Sequence, residues 1–284
     1  MKKILITGAN SYIGTSFEKY MKEFDGYEID TVDMIDGSWR EKDFSKYDVV
    51  FHVAGIAHSD TKKTSEDIKK KYYAVNMDLT VDTAKKTKAS GVGQFIFMSS
   101  MIVFGTKQGC ITKDTIPQPD NFYGDSKLQA DIGIHKLECD SFKVVSIRPP
   151  MIYGKDSKGN YPLLAKFAKF TPIFPEIDNK RSMLYIENLC EFVKLIIDNN
   201  ENGYFYPQNS EYVKTSDMVA QIAKVCGRKV IFTKLFNPFI QAFKNHPIIK
   251  KIFGNMYYEK IMSEYKEEYS VVNFKESILR TEKI

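Results

Sequence analysis

A tyrosine and a lysine four residues apart form the most informative pattern in this 284-residue sequence. Tyr123 and Lys127 lie in the stretch Tyr-Gly-Asp-Ser-Lys, and residues four apart share one face of a helix. Free tyrosine has a pKa of about 10, so a phenol that acts as a base near neutral pH needs a nearby cation to stabilise its ionised form. The pair therefore predicts proton transfer by Tyr123, with Lys127 lowering the pKa of the phenol.

A serine hydroxyl completes the predicted catalytic group. Ser100 closely follows the apolar run 95–98, which predicts a buried strand. Its hydroxyl can hydrogen-bond the substrate oxygen whose proton Tyr123 removes. We therefore expect Ser100, Tyr123 and Lys127 to be catalytic, with Ser100 and Tyr123 touching the substrate and Lys127 also contacting the cofactor.

A glycine-rich segment is typical of a site for a nucleotide phosphate. It runs from Thr7 to Gly14, after an apolar strand and at the start of a helical pattern. Glycines at such a turn let the amino terminus of the helix point its amides at a pyrophosphate. The predicted cofactor contacts here are Gly8, Asn10, Ser11, Tyr12, Ile13 and Gly14.

An aspartate after the second predicted strand indicates which cofactor binds. Asp33 lies 25 positions after Gly8, close to the offset of about 20 residues at which an acid hydrogen-bonds the adenosine ribose. An acid there repels a ribose phosphate, so NAD is favoured, although Arg40 would soften this preference and NADP stays open. Asp30 and Asp36 are alternatives for the same role.

The elements that position these residues alternate between short β-branched runs and longer helical patterns. The alternation predicts an α/β fold, a Rossmann-like doubly wound parallel sheet with ligands at the carboxyl ends of its strands. The predicted strands are 3–7, 27–32, 49–53, 95–98 and 143–147. The predicted helices are 13–24, 65–88 and 123–137.

The second part of the chain is predicted to form a smaller domain. We expect residues 1–150, with a returning segment at about 184–198, to be the NAD(P)-binding domain. Residues 151–183 and 199–284 then form a mixed α/β cap for the substrate, because glycines and prolines break this part into loops and short elements. Asn160 is a candidate for substrate contact in the cap.

Composition excludes several classes of function. With 43% apolar residues and a net charge of +5, the chain can bury a core and has no basic tail for nucleic acid. Its apolar runs are too short for a membrane-spanning helix, so we expect a cytoplasmic protein. The cysteines are too widely spaced to hold a metal and are expected to be reduced, buried thiols. They are Cys110, Cys139, Cys190 and Cys226.

One stretch carries charge that this catalytic interpretation does not use. Residues 218–258 contain seven basic residues and no acidic one. A solvated basic surface is one interpretation. The other is an attraction for phosphate or for an anionic membrane surface, helped by Phe236, Phe239, Ile240 and Phe243.

These features together resemble the short-chain dehydrogenase/reductase superfamily, and specifically its extended branch, the NAD-dependent epimerase/dehydratase family. The resemblance rests on the glycine-rich loop, on Ser100 and on the Tyr123 and Lys127 pair, and it covers nearly the whole chain. Similar segments are 51–55, 73–76, 148–154 and 181–188. The resemblance implies that Ala54 and Gly55 line the cofactor.

Two further roles follow from the resemblance. It implies that Asn76 supports the active-site strand, and that Arg181 meets the diphosphate of a nucleotide-linked substrate.

Departures from the family pattern narrow the range of reactions that the chain is expected to catalyse. Met101 and Ile102 stand where dehydratases carry an acidic pair, which disfavours dehydration. Met151 replaces an asparagine of many epimerases, and Ser11 replaces the middle glycine of the loop.

The resemblance implies hydride transfer at carbon-4 of a hexose or N-acetylhexosamine carried on a nucleoside diphosphate, with UDP expected. A 4-epimerase is preferred, because Asp33 suits NAD, which an epimerase recycles in place. The alternative is an NAD(P)H-dependent 4-keto-reductase of a UDP-4-keto-6-deoxy sugar in surface polysaccharide synthesis, since the cap is short for an epimerase.

Two other expectations concern class and assembly. A non-catalytic NAD-binding regulator is a third interpretation, but it predicts a damaged serine, tyrosine or lysine, and all three are intact. Relatives commonly dimerise through the helix that bears Tyr123, so a homodimer is expected.

Overall fold

The computed structural model describes residues 1–57 and 65–283. The strands are, in chain order, β1 (Lys2–Thr7), β2 (Tyr27–Val32), β3 (Val49–His52), β4 (Gln94–Met98), β5 (Cys110–Ile111), β6 (Lys143–Ile147), β7 (Met151–Tyr153), β8 (Ile173–Pro175), β9 (Met183–Tyr185), β10 (Gly203–Phe205), β11 (Ile231–Thr233) and β12 (Tyr257–Tyr258). The α-helices are α1 (Tyr12–Met21), α2 (Glu66–Tyr73), α3 (Leu79–Ala89), α4 (Phe122–His135), α5 (Tyr161–Phe170), α6 (Ile186–Asp198), α7 (Thr215–Val225), α8 (Asn237–Ala242), α9 (Pro247–Phe253) and α10 (Phe274–Lys283).

The chain forms two compact units, each built from separate stretches of sequence. The first unit comprises Met1–Thr106, Ile116–Pro149 and Leu189–Pro207. The second unit comprises Lys107–Thr115, Pro150–Asn188 and Gln208–Ile284. The assignment of the cofactor to one unit and of the substrate to the other stays a prediction.

A six-stranded parallel sheet forms the centre of the first unit, in the order β10-β6-β4-β3-β1-β2. Its middle strands β3, β4 and β6 are buried along nearly their whole length because both faces are covered. Val50, Phe95 and Val144 are register partners on neighbouring strands, and all three are fully buried. The predicted doubly wound parallel sheet is therefore confirmed.

The strand order reverses direction beside β1. The chain continues from β1 to β2 on one side, whereas β3 and the later strands lie on the other side. Loops leave the carboxyl ends of β1 and β3 in opposite directions at such a point, and the crevice between them is where ligands bind in open α/β sheets.

The helix predicted over 65–88 is interrupted. A π-helical turn, Ala74–Asp78, separates α2 from α3. The buried Asn76 lies within this turn. The periodicity of the sequence predicted one helix because a single wide turn barely changes the spacing of apolar residues, and such turns are frequent at functional sites.

The second unit contains short parallel strand pairs, which are β7 with β9, β8 with β11 and β5 with β12. The large side chains of Tyr153, Phe174 and Tyr258 are buried within this unit. None of the helices in the described ranges is long and apolar enough to cross a membrane.

The cysteines differ in part from the prediction of buried thiols. Cys190 is buried and Cys226 is half-buried, whereas Cys110 and Cys139 are exposed. Cys110 lies on the two-residue strand β5, and Cys139 lies in the turn before β6, where little of the chain covers a side chain.

Candidate active site

The loop after β1 approaches the segment after β3 so closely that Gly8 has no room for a side chain. Its φ is +103°, and a Cβ atom at this position would lie 2.8 Å from the amide nitrogen of Ala54. The amide of Gly8 donates to the carbonyl oxygen of Val32 at the end of β2, at 2.9 Å. Gly8 thus joins the carboxyl ends of three parallel strands, at the place where a dinucleotide phosphate binds in such a sheet.

Ser11 forms the amino-terminal cap of α1. Its Oγ accepts a hydrogen bond from the amide of Gly14 at 3.1 Å, and its backbone is extended. The hydroxyl hydrogen of Ser11 stays available for a phosphate oxygen, because the cap uses the oxygen only as an acceptor. Ser11 therefore stabilises the first turn of α1.

Asn10 and Gly14 complete the loop. Asn10 has a φ of +65°, which asparagine tolerates better than most residues. A Cβ atom at Gly14 would lie 3.2 Å from side-chain carbons of both Ile6 and Val53, so the glycine lets α1 pack closely on the sheet. These are the positions that a pyrophosphate-binding turn requires.

Of the three candidate aspartates, Asp33 lies at the carboxyl end of β2, which is the position where an acid meets the adenosine ribose in such a sheet. It directly follows β2, and one of its carboxylate oxygens accepts from the amide of Ile35 at 2.6 Å. Asp30 lies within β2, and a single oxygen of its carboxylate accepts from the Tyr47 hydroxyl and from the Lys46 ammonium. In Asp36, one oxygen accepts two hydrogen bonds from Ser38.

The residues of the first unit fit a dinucleotide. The decisive observation is the turn at Gly8, here called the Gly8 cradle, whose backbone lies so close to Ala54 that it has no room for a Cβ atom. The start of α1 suits the negative pyrophosphate, because helix amino termini attract anions. The carboxylate of Asp33 suits the hydroxyls of a ribose.

Gly55 and Asn76 lie beside the lysine. A Cβ atom at Gly55 would lie 3.0 Å from Nζ of Lys127 and 3.1 Å from Oδ1 of Asn76. The Asn76 carboxamide accepts from the amide of Ile56 at 2.9 Å and donates to the carbonyl of Ile56 at 3.0 Å. Asn76 therefore holds the loop after β3, whereas the resemblance implied support of the active-site strand.

A close helix contact brings the two predicted catalytic hydroxyls together. A Cβ atom at Gly124 would lie 2.8 Å from the carbonyl oxygen of Ile102, so α4 packs directly on the 3-10 turn that follows Ser100. The phenol of Tyr123, in the first turn of α4, interacts with the side chain of Ser100, and this interaction lowers the pKa of the phenol. The sequence did not indicate that Gly124 permits this contact.

The phenol of Tyr123 is protonated near neutral pH in this environment. Burial raises the pKa of Tyr123 above its ordinary value, and the interaction with Ser100 opposes that rise. The sequence predicted that Lys127 lowers this pKa, but the pKa is raised because desolvation of the buried phenol outweighs the contribution that lowers it.

Lys127 is fixed at the end of strand β4. Its ammonium donates to the carbonyl oxygen of Met98 at 2.9 Å and lies 4.5 Å from the centre of the Phe97 ring. Burial lowers the pKa of Lys127 to about 8, and the nearby carboxylate of Asp131 opposes this shift. The amine therefore changes its charge close to physiological pH.

A buried ion pair behind the site was missed in the sequence. Asp131 is fully buried, and its Oδ2 accepts from Nε of Arg148 and from Oγ of Ser99, each at 3.0 Å. Because Ser99 precedes Ser100, Asp131 fixes the strand end that carries the predicted catalytic serine. Its position four residues after Lys127, on the same helix face, is the signal that could have found it.

The two predicted substrate contacts of the cap lie in the second unit. Asn160 directly precedes α5, and its carbonyl oxygen accepts from the amide of Leu164 at 3.2 Å. The guanidinium of Arg181 donates to the carbonyl oxygen of Gly254 at 2.9 Å, and burial lowers its pKa. A role of either residue in substrate binding stays a prediction.

Comparisons with known proteins agree with this geometry. The family model "NAD dependent epimerase/dehydratase family" matches residues 4–206. A UDP-glucose 4-epimerase of Vibrio cholerae is 32% identical over 247 residues, which are 78% of this chain and 75% of that protein. An N-acetyl-alpha-D-glucosaminyl-diphospho-ditrans,octacis-undecaprenol 4-epimerase of Escherichia coli O157:H7 is 27% identical over 80% of this chain and 73% of its own.

Solved structures share the fold. A UDP-glucuronic acid 4-epimerase from Bacillus cereus, in complex with NAD and a fluorinated UDP-sugar, has a TM-score of 0.76 at 18% identity and covers 98% of this chain and 97% of its own. A dTDP-4-dehydrorhamnose reductase from Yersinia enterocolitica has a TM-score of 0.73 at 20% identity, covering 99% and 98%. The predictions of an enzyme and of NAD or NADP as its cofactor are confirmed at the level of the family. The chain belongs to the NAD dependent epimerase/dehydratase family.

Proposed function

We propose that the protein is an NAD-dependent 4-epimerase of a hexose or N-acetylhexosamine linked to UDP. The observation that carries this proposal is the interaction of the Tyr123 phenol with the Ser100 side chain, in the same unit as the Gly8 cradle. The relative from Vibrio cholerae, a UDP-glucose 4-epimerase by name, supports the choice of substrate class.

The site residues have complementary roles in this proposal. Ser100 hydrogen-bonds the oxygen on carbon-4 of the sugar, and Oη of Tyr123 takes the proton of that hydroxyl. Lys127 stabilises the ionised phenol and contacts the cofactor ribose. NAD, when bound, supplies the hydride-accepting and hydride-returning chemistry. Tyr123 gives the proton back to the ketone oxygen after the sugar has turned over.

The cofactor contacts are proposed for the first unit. They are Gly8, Asn10, Ser11, Tyr12, Ile13, Gly14, Asp33, Ala54, Gly55 and Lys127. Their common support is the carboxyl edge of the parallel sheet, where the Gly8 cradle and Asp33 both lie. Asn160 and Arg181 are proposed as substrate contacts of the second unit, with the Arg181 guanidinium meeting a phosphate oxygen.

A 4-keto-reductase is the second candidate, and the protonation of Tyr123 favours it. A phenol whose pKa is raised by burial is a ready proton donor, which suits the reduction of a ketone. In an epimerase the same phenol must first lose its proton. The reductase candidate acts with NADH or NADPH on a UDP-4-keto-6-deoxy sugar.

One experiment separates these functions. The purified protein is incubated with UDP-glucose, UDP-N-acetylglucosamine and their 4-keto-6-deoxy forms, and the products are followed by NMR with and without added NADH or NADPH. The 4-epimerase proposal expects the C4 epimer of a UDP-sugar without added reduced cofactor. Reduction of a 4-keto sugar that consumes NADH or NADPH, with no epimer formed, would establish the reductase instead.

A diphosphate-linked lipid belongs in the same substrate panel. The name of the relative from Escherichia coli O157:H7 refers to a sugar on undecaprenyl diphosphate. We therefore include N-acetylglucosaminyl-diphospho-polyprenol. If this compound alone is epimerised, the carrier of the sugar is a polyprenyl diphosphate and not UDP. The proposed reaction, epimerisation at carbon-4, would then be unchanged.

Assembly, location and pathway are also proposals. We propose a cytoplasmic homodimer that supplies sugars for surface polysaccharides. The support for the dimer is α4, where Leu128 is half-buried and Ile132 is exposed, together with the half-buried Leu137 just beyond its end. Light scattering after size-exclusion chromatography tests the dimer, and an Ile132→Glu variant that stays dimeric would move the interface away from α4.

A further inference from the structure

We propose that residues 231–251, here called the docking segment, bind the surface of an anionic lipid bilayer. The segment contains β11, α8 and most of α9, all within the second unit. This proposal is independent of the reaction that the first unit performs, and its test does not require activity.

The docking segment exposes large apolar side chains. Leu235 is 75% exposed, Phe239 is 68% exposed and Phe243 is 61% exposed. These residues follow one another at intervals of four, with Phe239 in α8 and Phe243 directly after its end. Ile231 and Ile248 are exposed as well. Contiguous exposed apolar residues of this size mark an interaction surface.

The charge of the region complements an anionic surface. Residues 218–258 carry seven positive charges and no negative one, while the whole chain has a net charge of +5. The rest of the chain is therefore slightly acidic, with a net charge of −2. Four of the seven cations belong to the docking segment, and they are Lys234, Lys244, Lys250 and Lys251.

Both ends of the docking segment are fixed to the second unit. Phe232 contacts the ring of the buried Phe174 at 6.3 Å near one end, and Phe253 contacts the same ring at 5.7 Å just beyond the other end. Asn237 donates from its side chain to the carbonyl oxygen of Glu176 at 2.9 Å. The exposed aromatic residues are thus presented by an anchored loop of two short helices.

The combination favours a bilayer over a free phosphate or a protein. A phosphate site needs convergent donors. By contrast, the region of α8 and α9 has an open, mainly apolar hollow of about 390 Å³, lined by Phe239, Ile240, Phe243, His246 and Ile249. Aromatic side chains among lysines suit the boundary between acyl chains and anionic headgroups, because lysine stems can lie along the apolar layer while the ammonium stays in water.

Vesicle sedimentation tests the proposal with the full chain. The wild-type protein is mixed with vesicles of phosphatidylcholine, with or without phosphatidylglycerol. We expect binding only to the anionic vesicles and weaker binding at high salt. The triple variant Lys234→Gln, Lys244→Gln and Lys251→Gln should bind on the order of 100-fold more weakly, because each lysine near an anionic membrane surface strengthens binding by a similar factor.

A matched control removes the same charge elsewhere. The variant Lys22→Gln, Lys85→Gln and Lys136→Gln changes three exposed lysines of the first unit, so its net charge equals that of the test variant. We expect it to bind vesicles like the wild type. Equal weakening by both triple variants would overturn the proposal, because net charge alone would then explain binding.

A second measurement tests insertion of the apolar side chains. The chain has a single tryptophan, the buried Trp39, so Phe243→Trp adds one reporter at the proposed surface. Brominated phosphatidylcholine mixed with phosphatidylglycerol should quench the new fluorescence and leave that of the wild type unchanged. An unquenched reporter would overturn the proposal.

Two further results would also overturn it. Competition by inorganic phosphate, at an ionic strength where sodium chloride has no effect, would mark a phosphate site. Conversion of a dimer to a monomer by Phe239→Ser and Phe243→Ser would mark an interface between two copies of the chain.

Discussion

Lys127 donates a hydrogen bond from its ammonium to the carbonyl oxygen of Met98 at 2.9 Å. This contact joins the second turn of α4 to the end of β4. Lys127 lies one helical turn after Tyr123, and Met98 lies two residues before Ser100. The contact therefore places the cation close to both predicted catalytic hydroxyls in the chain. Burial at this position also sets the charge, because it lowers the pKa of Lys127 to about 8.

The affinity for NAD should fall as the pH rises through about 8. Below this value Lys127 is charged and attracts the anionic cofactor, and above it the amine is neutral. Isothermal titration calorimetry on both sides of this pH measures the change, and Lys127→Met should remove the inflection. An NAD affinity that is flat across pH 8 would contradict the assignment.

Because the unfolded chain keeps this lysine charged up to its ordinary pKa of 10.5, Lys127 should also make the free energy of unfolding rise between pH 8 and 10.5.

Replacement of Asp131 by asparagine should destabilise the protein and shift the charge of Lys127. The variant leaves Arg148 buried without its counter-ion, which costs about 3–5 kcal/mol in the free energy of unfolding. The inflection in NAD affinity should move below pH 8, because Asp131 favours the charged lysine. Urea unfolding measures the stability. Asp82→Asn, on the exposed side of α3, is the control and should change stability by less than about 0.5 kcal/mol.

Tyr123→Phe should lower kcat by about 10²–10⁴ and leave the Kd for NAD unchanged, because the variant removes only the proton-transferring hydroxyl. Steady-state assays with the best substrate of the panel, together with NAD titration, separate the two effects. Tyr27→Phe is a matched control, since its hydroxyl bonds the exposed Asp198 in the first unit. Near-normal turnover by Tyr123→Phe would rule out the proposed base.

Gly8→Ala should weaken NAD binding by about tenfold or more, because its Cβ would displace the Ala54 backbone that forms the cradle. Gly26→Ala is the matched control. Gly26 also has a positive φ of +93°, but nothing lies within 4 Å of its added Cβ. Both variants share the backbone strain, so a difference in NAD affinity reports the cradle alone. Equal NAD affinities for the two variants would place the phosphates elsewhere.

Asp33→Ala should raise the Kd for NAD by about tenfold and reduce the preference for NAD over NADP. The reason is that the carboxylate that binds a ribose hydroxyl also repels a ribose phosphate. Binding of both cofactors is measured by calorimetry. Asp36→Ala is the control, since one oxygen of that carboxylate bonds Ser38. A larger loss for Asp36→Ala than for Asp33→Ala would reverse the assignment.

Local patterns in the sequence determined the fold class and most of the candidate site. Apolar runs predicted the strands that became β1, β3, β4 and β6, because a parallel sheet buried on both faces demands such runs. The edge strand β2 was predicted from a run of alternating polar and β-branched residues. The glycine loop and the spacing of Tyr123 and Lys127 are equally local, so their positions at a strand end and on one helix face followed from backbone geometry.

Only the tertiary structure decided the contacts between distant segments. The sequence does not show that Gly124 lies against Ile102, that Asp131 pairs with Arg148, or that Asn76 bonds Ile56 across a π-helical turn. It also predicted a lowered pKa for Tyr123, whereas burial raises that pKa. Burial and long-range packing set these properties, because desolvation and close approach depend on how segments far apart in the chain meet in space.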